Sequence, residues 1–324
     1  ITAVLSAILD NVTTVLLVGP MSIAIARMLK IDPVPFLMGQ ILASNVGGTA
    51  TLIGDPPNIM IGSAAHLSFM DFLDNTGFAV LFILAVLILL MKIVYEKKIE
   101  LGTVDTGAVE KLDPSKSITN RALMKKGIIV LICVIVGFMF HDKLGIESSV
   151  IALTAAAVML IIGREDVDQA IQDVEWTTIL FFMSLFVVVG GLTETGIIKE
   201  LASKIIDATN GHPMMTMLVL LWASALLSSI LDNIPFVATL IPLILAMQAD
   251  GMDVTSFWWA ISLGACLGGN GTMIGASANV VLSDISTKHG YPITFKSYLK
   301  VGMPFMLLSI VISTVFLVVK FDIM

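Results

Sequence analysis

Two blocks of this chain occur twice, in the same order and at nearly the same spacing, and that duplication limits the folds open to it. LSAILDNVTTVLLVGPM (5–21) aligns without gaps on LSSILDNIPFVATLIPL (227–243). Leu5, Ser6, Ile8, Leu9, Asp10, Asn11, Val15 and Pro20 recur as Leu227, Ser228, Ile230, Leu231, Asp232, Asn233, Val237 and Pro242. Further on, GGTATLIGDPPN (47–58) aligns on GGNGTMIGASAN (268–279), keeping Gly47, Gly48, Thr51, Ile53, Gly54 and Asn58. The offset is 222 residues in the first match and 221 in the second, so a single deletion separates them. Matched blocks in order at a near-constant offset mark an internal duplication. The second copy has about 90 residues of spans (125–213) ahead of its block, and the first has four residues ahead of its own. About three further membrane segments are therefore expected upstream of Ile1. The first repeat is read as N-terminally truncated, since it opens inside an apolar run with no initiator Met, basic region or cleavage site.

The repeated blocks lie in a chain that water alone cannot solvate. Hydrophobic residues make up 57% of 324 positions and charged residues 13%, with a mean hydropathy of +0.97. Soluble domains carry about 25% charged residues, so lipid must be part of the solvent here. Net charge is −7, but the charges sit in short loops, and no nucleic-acid partner is implied. Cys133 and Cys266 fall in apolar segments 133 residues apart and read as packing residues, not as a disulfide or a metal cluster.

A membrane-spanning helix needs about 20 predominantly apolar residues. Candidate spans are 76–94, 125–141, 148–163, 176–192 and 299–319; apolar stretches interrupted by Gly, Asn, Asp and Pro cover 1–30, 33–66, 214–249 and 255–288. The chain divides into a first repeat (1–94), a polar cytoplasmic linker (95–124) and a second repeat (125–324). Segment 197–209 alternates apolar and polar residues at helical spacing and is read as a helix lying along the membrane surface. An odd number of crossings, five, separates the two copies of the block, which predicts inverted repeats. On that topology Arg27, Lys30, the eight basic residues from Lys92 to Lys126, Arg164, Lys288, Lys296 and Lys300 fall inside. Only Lys143, Lys199, Lys204 and Lys320 fall outside, 14 against 4, as the positive-inside bias requires.

Within hydrocarbon a break in a helix is tolerated only where it is buried in protein or lines a polar cavity. Gly47-Gly48 through Pro56-Pro57-Asn58 cannot form a continuous helix, because two prolines remove donors and clash with the preceding turn. The second copy keeps the glycine-rich break as Gly268-Gly269-Asn270-Gly271. Paired broken helices in two repeats point to a transporter binding site, with amide donors at one half-helix end and carbonyls at the other. Asp10-Asn11 and Asp232-Asn233 place a carboxylate and an amide inside apolar runs, a costly position that marks an ion path. Such an aspartate also serves as a cap for the next half-helix, and the two roles are compatible. Pro235 makes 214–249 a helix–tip–helix hairpin. Asp55, in Gly-Asp-Pro, is a weaker candidate, since a simple turn explains it. His66, His141, His212 and His289 fall near span ends without ligand spacing. No phosphate-loop Gly-Lys-Ser/Thr, zinc-protease motif or Ser/His/Asp set occurs, so an enzyme is not expected.

LSAILDNVTTVLLVGP followed by ASNVGGTATLIGDPPN closely resembles the arsenite permease and melanosomal P protein group. Type D sodium/proton antiporters are relatives, and all belong to the wider ion transporter superfamily with the citrate and divalent anion/sodium symporters. The resemblance implies an all-α polytopic membrane protein, an inverted-repeat elevator-type transporter with re-entrant hairpins and broken helices. It also suggests a homodimer in a prokaryotic plasma membrane. By this resemblance Asp10, Asn11, Asp232 and Asn233 sit at the tips, with sodium expected near them. Gly47, Gly48, Thr49, Thr51, Asn58, Gly268, Gly269, Asn270, Thr272 and Asn279 line the breaks. Thr13, Thr14, Asn45, Asp55 and Ser277 complete the candidate substrate- and ion-binding set. The dicarboxylate symporters place Ser-Asn-Thr at both tips. Here the tips are Asp-Asn with no Lys or Arg in the motifs, which disfavours a dianion. The implied function is a secondary transporter of small inorganic ions, arsenite/anion permease-like, coupled to protons or sodium and needing no cofactor. A neutral oxyacid such as arsenous acid is a suitable substrate, and a sodium/proton antiporter is the runner-up; an ion channel or a dicarboxylate symporter fits less well.

Overall fold

Lipid offers no partner for an unpaired backbone group, so a chain of this composition must satisfy its amides internally. Every regular element among the described residues is a helix. A computed structural model describes residues 1–96, 120–164, 166–172, 174 and 176–322. The first half contains α1 (Thr2–Ser6), α2 (Asn11–Met28), α3 (Val34–Gly48), α4 (Pro56–Ala65) and α5 (Phe69–Tyr95). After it come α6 (Arg121–Leu144), α7 (Ser148–Gly163), α8 (Val167–Gln172), α9 (Trp176–Glu194) and α10 (Ile197–Ala208). The second half closes with α11 (Pro213–Ser228), α12 (Asn233–Ala249), α13 (Thr255–Gly268), α14 (Ser277–Lys288) and α15 (Phe295–Asp322).

Among the described residues five helices, α2, α5, α6, α9 and α15, are long and apolar enough to cross a membrane, and α10 and α11 meet at a 120° bend. The spans read from the sequence fall inside α5, α6, α9 and α15 and coincide with α7. α5 starts earlier than its apolar run, because Ser68 and Asp71 form a reciprocal capping box that sets the first turn. The range read as a linker is trimmed at both ends. Tyr95 closes α5 and is buried, and Asn120 accepts from the Leu123 amide to start α6. Residues 97–119, most of the expected linker, lie outside the described residues. α10 buries Ile198 and Ala202 while Lys199, Glu200 and Lys204 face outward, as the alternation predicts.

The core is centred on α13, in which every residue from Phe257 to Gly268 is buried. It packs against α11, α12, α15, α3 and α4. Close approach requires the repeated glycines. A Cβ at Gly47 would run into the Ala3 backbone, and one at Gly268 would lie 2.6 Å from the Ala225 carbonyl oxygen, the equivalent position in the second half. α7 is predominantly apolar and buries none of its residues. Cys133 is exposed on α6, and of the two cysteines only Cys266 packs in the core.

Candidate functional site

Each half builds a tip and a break, and the same side chains build both. At the first tip Asp10 precedes α2 in extended geometry, and its carboxylate accepts from the Thr13 amide (2.9 Å) and the Thr13 hydroxyl. At the second, Asp232 accepts from the Ile234 amide (3.0 Å) and from Ser277 Oγ (3.0 Å). Both are N-caps that satisfy orphan amides of the following helix. Both are also partly exposed. The fully buried carboxylate among the candidates is a different one, Asp55.

The breaks run between α3 and α4 and between α13 and α14. Thr51 Oγ1 donates to the Ala7 carbonyl (2.6 Å), and its counterpart Thr272 donates to Ser229 (2.5 Å), so each break is tied to the tip of its own half. Ser6 and Ser228 donate to the Ser44 and Ala265 carbonyls, both at 2.7 Å. Asn58 Nδ2 donates to the Thr51 carbonyl (3.0 Å) and Asn279 Nδ2 to that of Thr272 (2.9 Å). Asn58 also reaches Gly48 and Thr49, and Asn279 reaches Gly269. One asparagine side chain per break therefore takes up carbonyls that the interrupted helix leaves free.

Between the halves runs a buried polar seam. Asn45 Nδ2 donates to Asn270 Oδ1 (3.0 Å) and Asn279 Oδ1 (2.8 Å), and its own Oδ1 accepts from Asn11 (3.2 Å). Ser262 Oγ donates to Asn58 Oδ1 at 2.7 Å, with Cys266 Sγ at 3.5 Å from the same oxygen. Asn233 Nδ2 from the second tip donates to both oxygens of Asp55, at 3.3 and 3.2 Å. Asp55 is 1% exposed, and Asn45, Asn58, Asn270 and Asn279 are wholly buried. Thr14 Oγ1 and Asn270 Nδ2 are buried without a protein partner.

The structure thus brings together Asn11, Asn45, Asp55, Asn58, Asn233, Asn270 and Asn279, while Gly47, Gly48, Gly268 and Gly269 allow the backbones to approach. It gives Thr13, Thr49, Thr51 and Thr272 local tasks: Thr13 serves the Asp10 cap, Thr49 Oγ1 donates to the Asn45 carbonyl, and the other two pin breaks. Asp55 is more than a turn residue. Pro56 and Pro57 fill the first two helical positions of α4 and carry no N–H, and the Asn58 amide donates to the Asp55 carbonyl (2.9 Å), so the carboxylate makes no cap bond and faces Asn233 instead. Ser262 is not among the residues the sequence points to, and Cys266 is read there only as a packing residue. The signal was in the repeat: they align with Ile41 and Asn45, so polarity has changed sides between the copies. Among the described residues no group of three His, Cys, Asp or Glu is placed to hold a metal ion. A groove of about 730 Å³ elsewhere, lined by Ile25, Gly39, Ala43, Leu84, Leu87 and Met91, is mainly apolar and takes no part in the seam.

Residues 1–264, which include both tips and the first break, match the family described as Citrate transporter. The chain belongs to that family. The 46 kDa membrane protein of Mycobacterium leprae is similar to it, 37% identical over 322 residues, covering 98% of this chain and 75% of that protein. An uncharacterized transporter of Mycobacterium tuberculosis is 39% identical over 329 residues, covering 99% and 76%. The P protein of Mus musculus is 31% identical over 398 residues, covering 98% of this chain and 48% of its own length. The resemblance to the P protein group is borne out, and this member of the citrate transporter family is a multi-pass integral membrane transporter.

Proposed function

We propose that the chain forms the ion- and solute-binding part of a secondary active transporter for small inorganic ions, arsenite/anion permease-like and driven by protons or sodium. The observation that carries this reading is the buried seam in which Asn45 and Asn233 join the tip and break of one half to those of the other. Hydrogen bonds across a packed boundary are elements with discrete alternatives, made or broken as a whole. Alternating access needs such a boundary; a channel does not. Inverted orientation of the halves, an elevator movement, a homodimer and a prokaryotic plasma membrane belong to the same proposal.

Charge favours a cation or a neutral oxyacid as cargo. α3, α4, α12 and α13 contain no Lys, Arg or His, and the basic residues of α2 and α14, Arg27 and Lys288, are exposed at the ends of those helices far from Asn11 and Asn279. Asp10, Asp55 and Asp232 supply negative charge, and a citrate-like anion would need that charge offset. The family description names citrate, so citrate belongs in the test. A sodium/proton antiporter is the second reading, favoured by the same three carboxylates. The chain is expected to transport, with no catalytic role.

The test is transport in proteoliposomes, with sodium, proton, arsenite and citrate gradients imposed separately. Ion-driven accumulation of arsenite or sodium against its gradient supports the reading. Passive equilibration alone indicates a channel, and accumulation of citrate alone refutes the substrate class.

A further inference from the structure

The duplicated halves differ at one buried carboxylate. Asp55 in the first break aligns with Ala276 in the second, so the repeat holds one such carboxyl group and not two. It is 1% exposed; its one amide donor is Asn233, from the tip of the opposite half, and the only other side chain donating to it is the weakly polar Cys266 thiol. A carboxylate offers about four lone-pair sites, so a single amide nitrogen shared between two oxygens leaves it short of partners.

The groups facing Asp55 offer no compensating charge. α4 packs on α12 and α13, and neither contains an Asp, Glu, Lys, Arg or His. From α13 the neighbour is the Cys266 thiol; the charges that act on Asp55 are Asp232 at the second tip and Asp10 at the first, both carboxylates. An ionised carboxylate taken out of water without a cation is costly by several kcal/mol or more. Something positive must therefore accompany it for part of any cycle. A hard metal cation collects several oxygen ligands, whereas Asn233 turns an N–H donor toward the carboxylate. A proton needs only one oxygen.

We propose that Asp55 carries one exchangeable proton, and that its protonation sets the strength of the Asp55–Asn233 bond between the two halves. The proton comes from water on one side of the membrane, adds to one carboxylate oxygen, and leaves to water on the other side. No electrons move and no other bond forms. With the proton absent, Asn233 donates to a charged acceptor, a bond about twice as strong as a neutral one. With the proton present, the charge and one acceptor oxygen are lost and the bond between the halves loosens. Driving ion and movement thereby meet at one pair of side chains. The proposal rests on the transporter reading and adds to it the identity of the ion and the residue that holds it.

The experiment is infrared difference spectroscopy of the full chain in lipid nanodiscs, between alkaline and acidic buffer without sodium, repeated in heavy water. On acidification the wild type should gain the carbonyl stretch of a buried carboxylic acid, with the small shift in heavy water that marks an exchangeable proton. Asp55→Asn should lack that band, and Asp10→Asn and Asp232→Asn should keep it. Asp55→Glu, which retains a carboxyl group should the Asn variant misfold, should move the band. Asn233→Ala should shift it as well, because the acid loses its one amide donor. A band that survives unmoved in both Asp55 variants overturns the proposal. So does a band that vanishes when sodium is added at constant acidic pH, since the ion would then be a metal cation. Absence of ion-driven transport with this pattern intact would refute the transporter reading and leave the proton on Asp55. Transport without the band would do the reverse.

Discussion

Replacing Asp232 by Ala and by Asn separates its work as a helix cap from its work as a charge. The carboxylate accepts from the Ile234 amide and from Ser277 Oγ, each at 3.0 Å. Alanine removes the cap, at a cost of about 1 kcal/mol and up to about 2. It also leaves the Ser277 hydroxyl without its acceptor, for about 1 kcal/mol more. A loss of roughly 2–3 kcal/mol is therefore expected for Asp232→Ala. Asparagine caps about as well as aspartate through its one carbonyl oxygen, and its amide can donate to the Ser277 hydroxyl, which accepts as well as donates, so Asp232→Asn should lose well under 1 kcal/mol. Thermal unfolding in nanodiscs should rank wild type and Asn together, with Ala clearly below. In proteoliposomes the Asn variant, though folded, should show an altered dependence on pH or sodium, because Asp232 is a carboxylate adjacent in the chain to Asn233, which donates to Asp55. Asp10→Asn should behave similarly, without necessarily matching in size. If Asn destabilised as much as Ala, the cap geometry would be wrong. If the Asn variant transported at the wild-type rate with unchanged pH and sodium dependence, the charge would have no coupling role and only the cap would remain.

Gly268→Ala should lose about 1–3 kcal/mol from overpacking, since its Cβ would lie 2.6 Å from the Ala225 carbonyl, whereas Gly127→Ala on α6 meets nothing within 4 Å and should cost nothing. Thermal unfolding of the two variants side by side checks this. Asn45→Ala removes three hydrogen bonds to Asn11, Asn270 and Asn279 and should destabilise by about 2–4 kcal/mol; a loss below about 1 kcal/mol would mean that the seam is not closed in solution. Maleimide should leave Cys266 unlabelled in the folded protein and label it once denaturant opens the core. Labelling of Cys266 in the folded protein would contradict its burial in α13.

The repeat, the membrane setting and the two tip-and-break units were legible in the sequence, because each rests on local chemistry. Apolar runs of the right length must be helices in lipid. Gly-Gly and Pro-Pro stop a helix wherever they stand, and an Asp before a helix caps it. Correspondences such as Thr51 with Thr272 and Asn58 with Asn279 then follow from the alignment, and the structure gives both members of each pair the same backbone partners. What the alignment leaves open is which side chains of one half touch the other. Asn45, Ser262 and Cys266 break the repeat's symmetry, and their meaning depends on packing between segments about 220 residues apart. The roles of the carboxylates were decided there too. Asp10 and Asp232 looked the more deeply placed, because they interrupt apolar runs, yet their tips leave them partly exposed and engaged as caps. Asp55, in a dipeptide that reads as a turn, is enclosed by α12 and α13 and left with one amide from the other half. Local sequence determines where a helix must stop. Burial and partners belong to the surfaces that close over the stop, and only the tertiary structure brings those together.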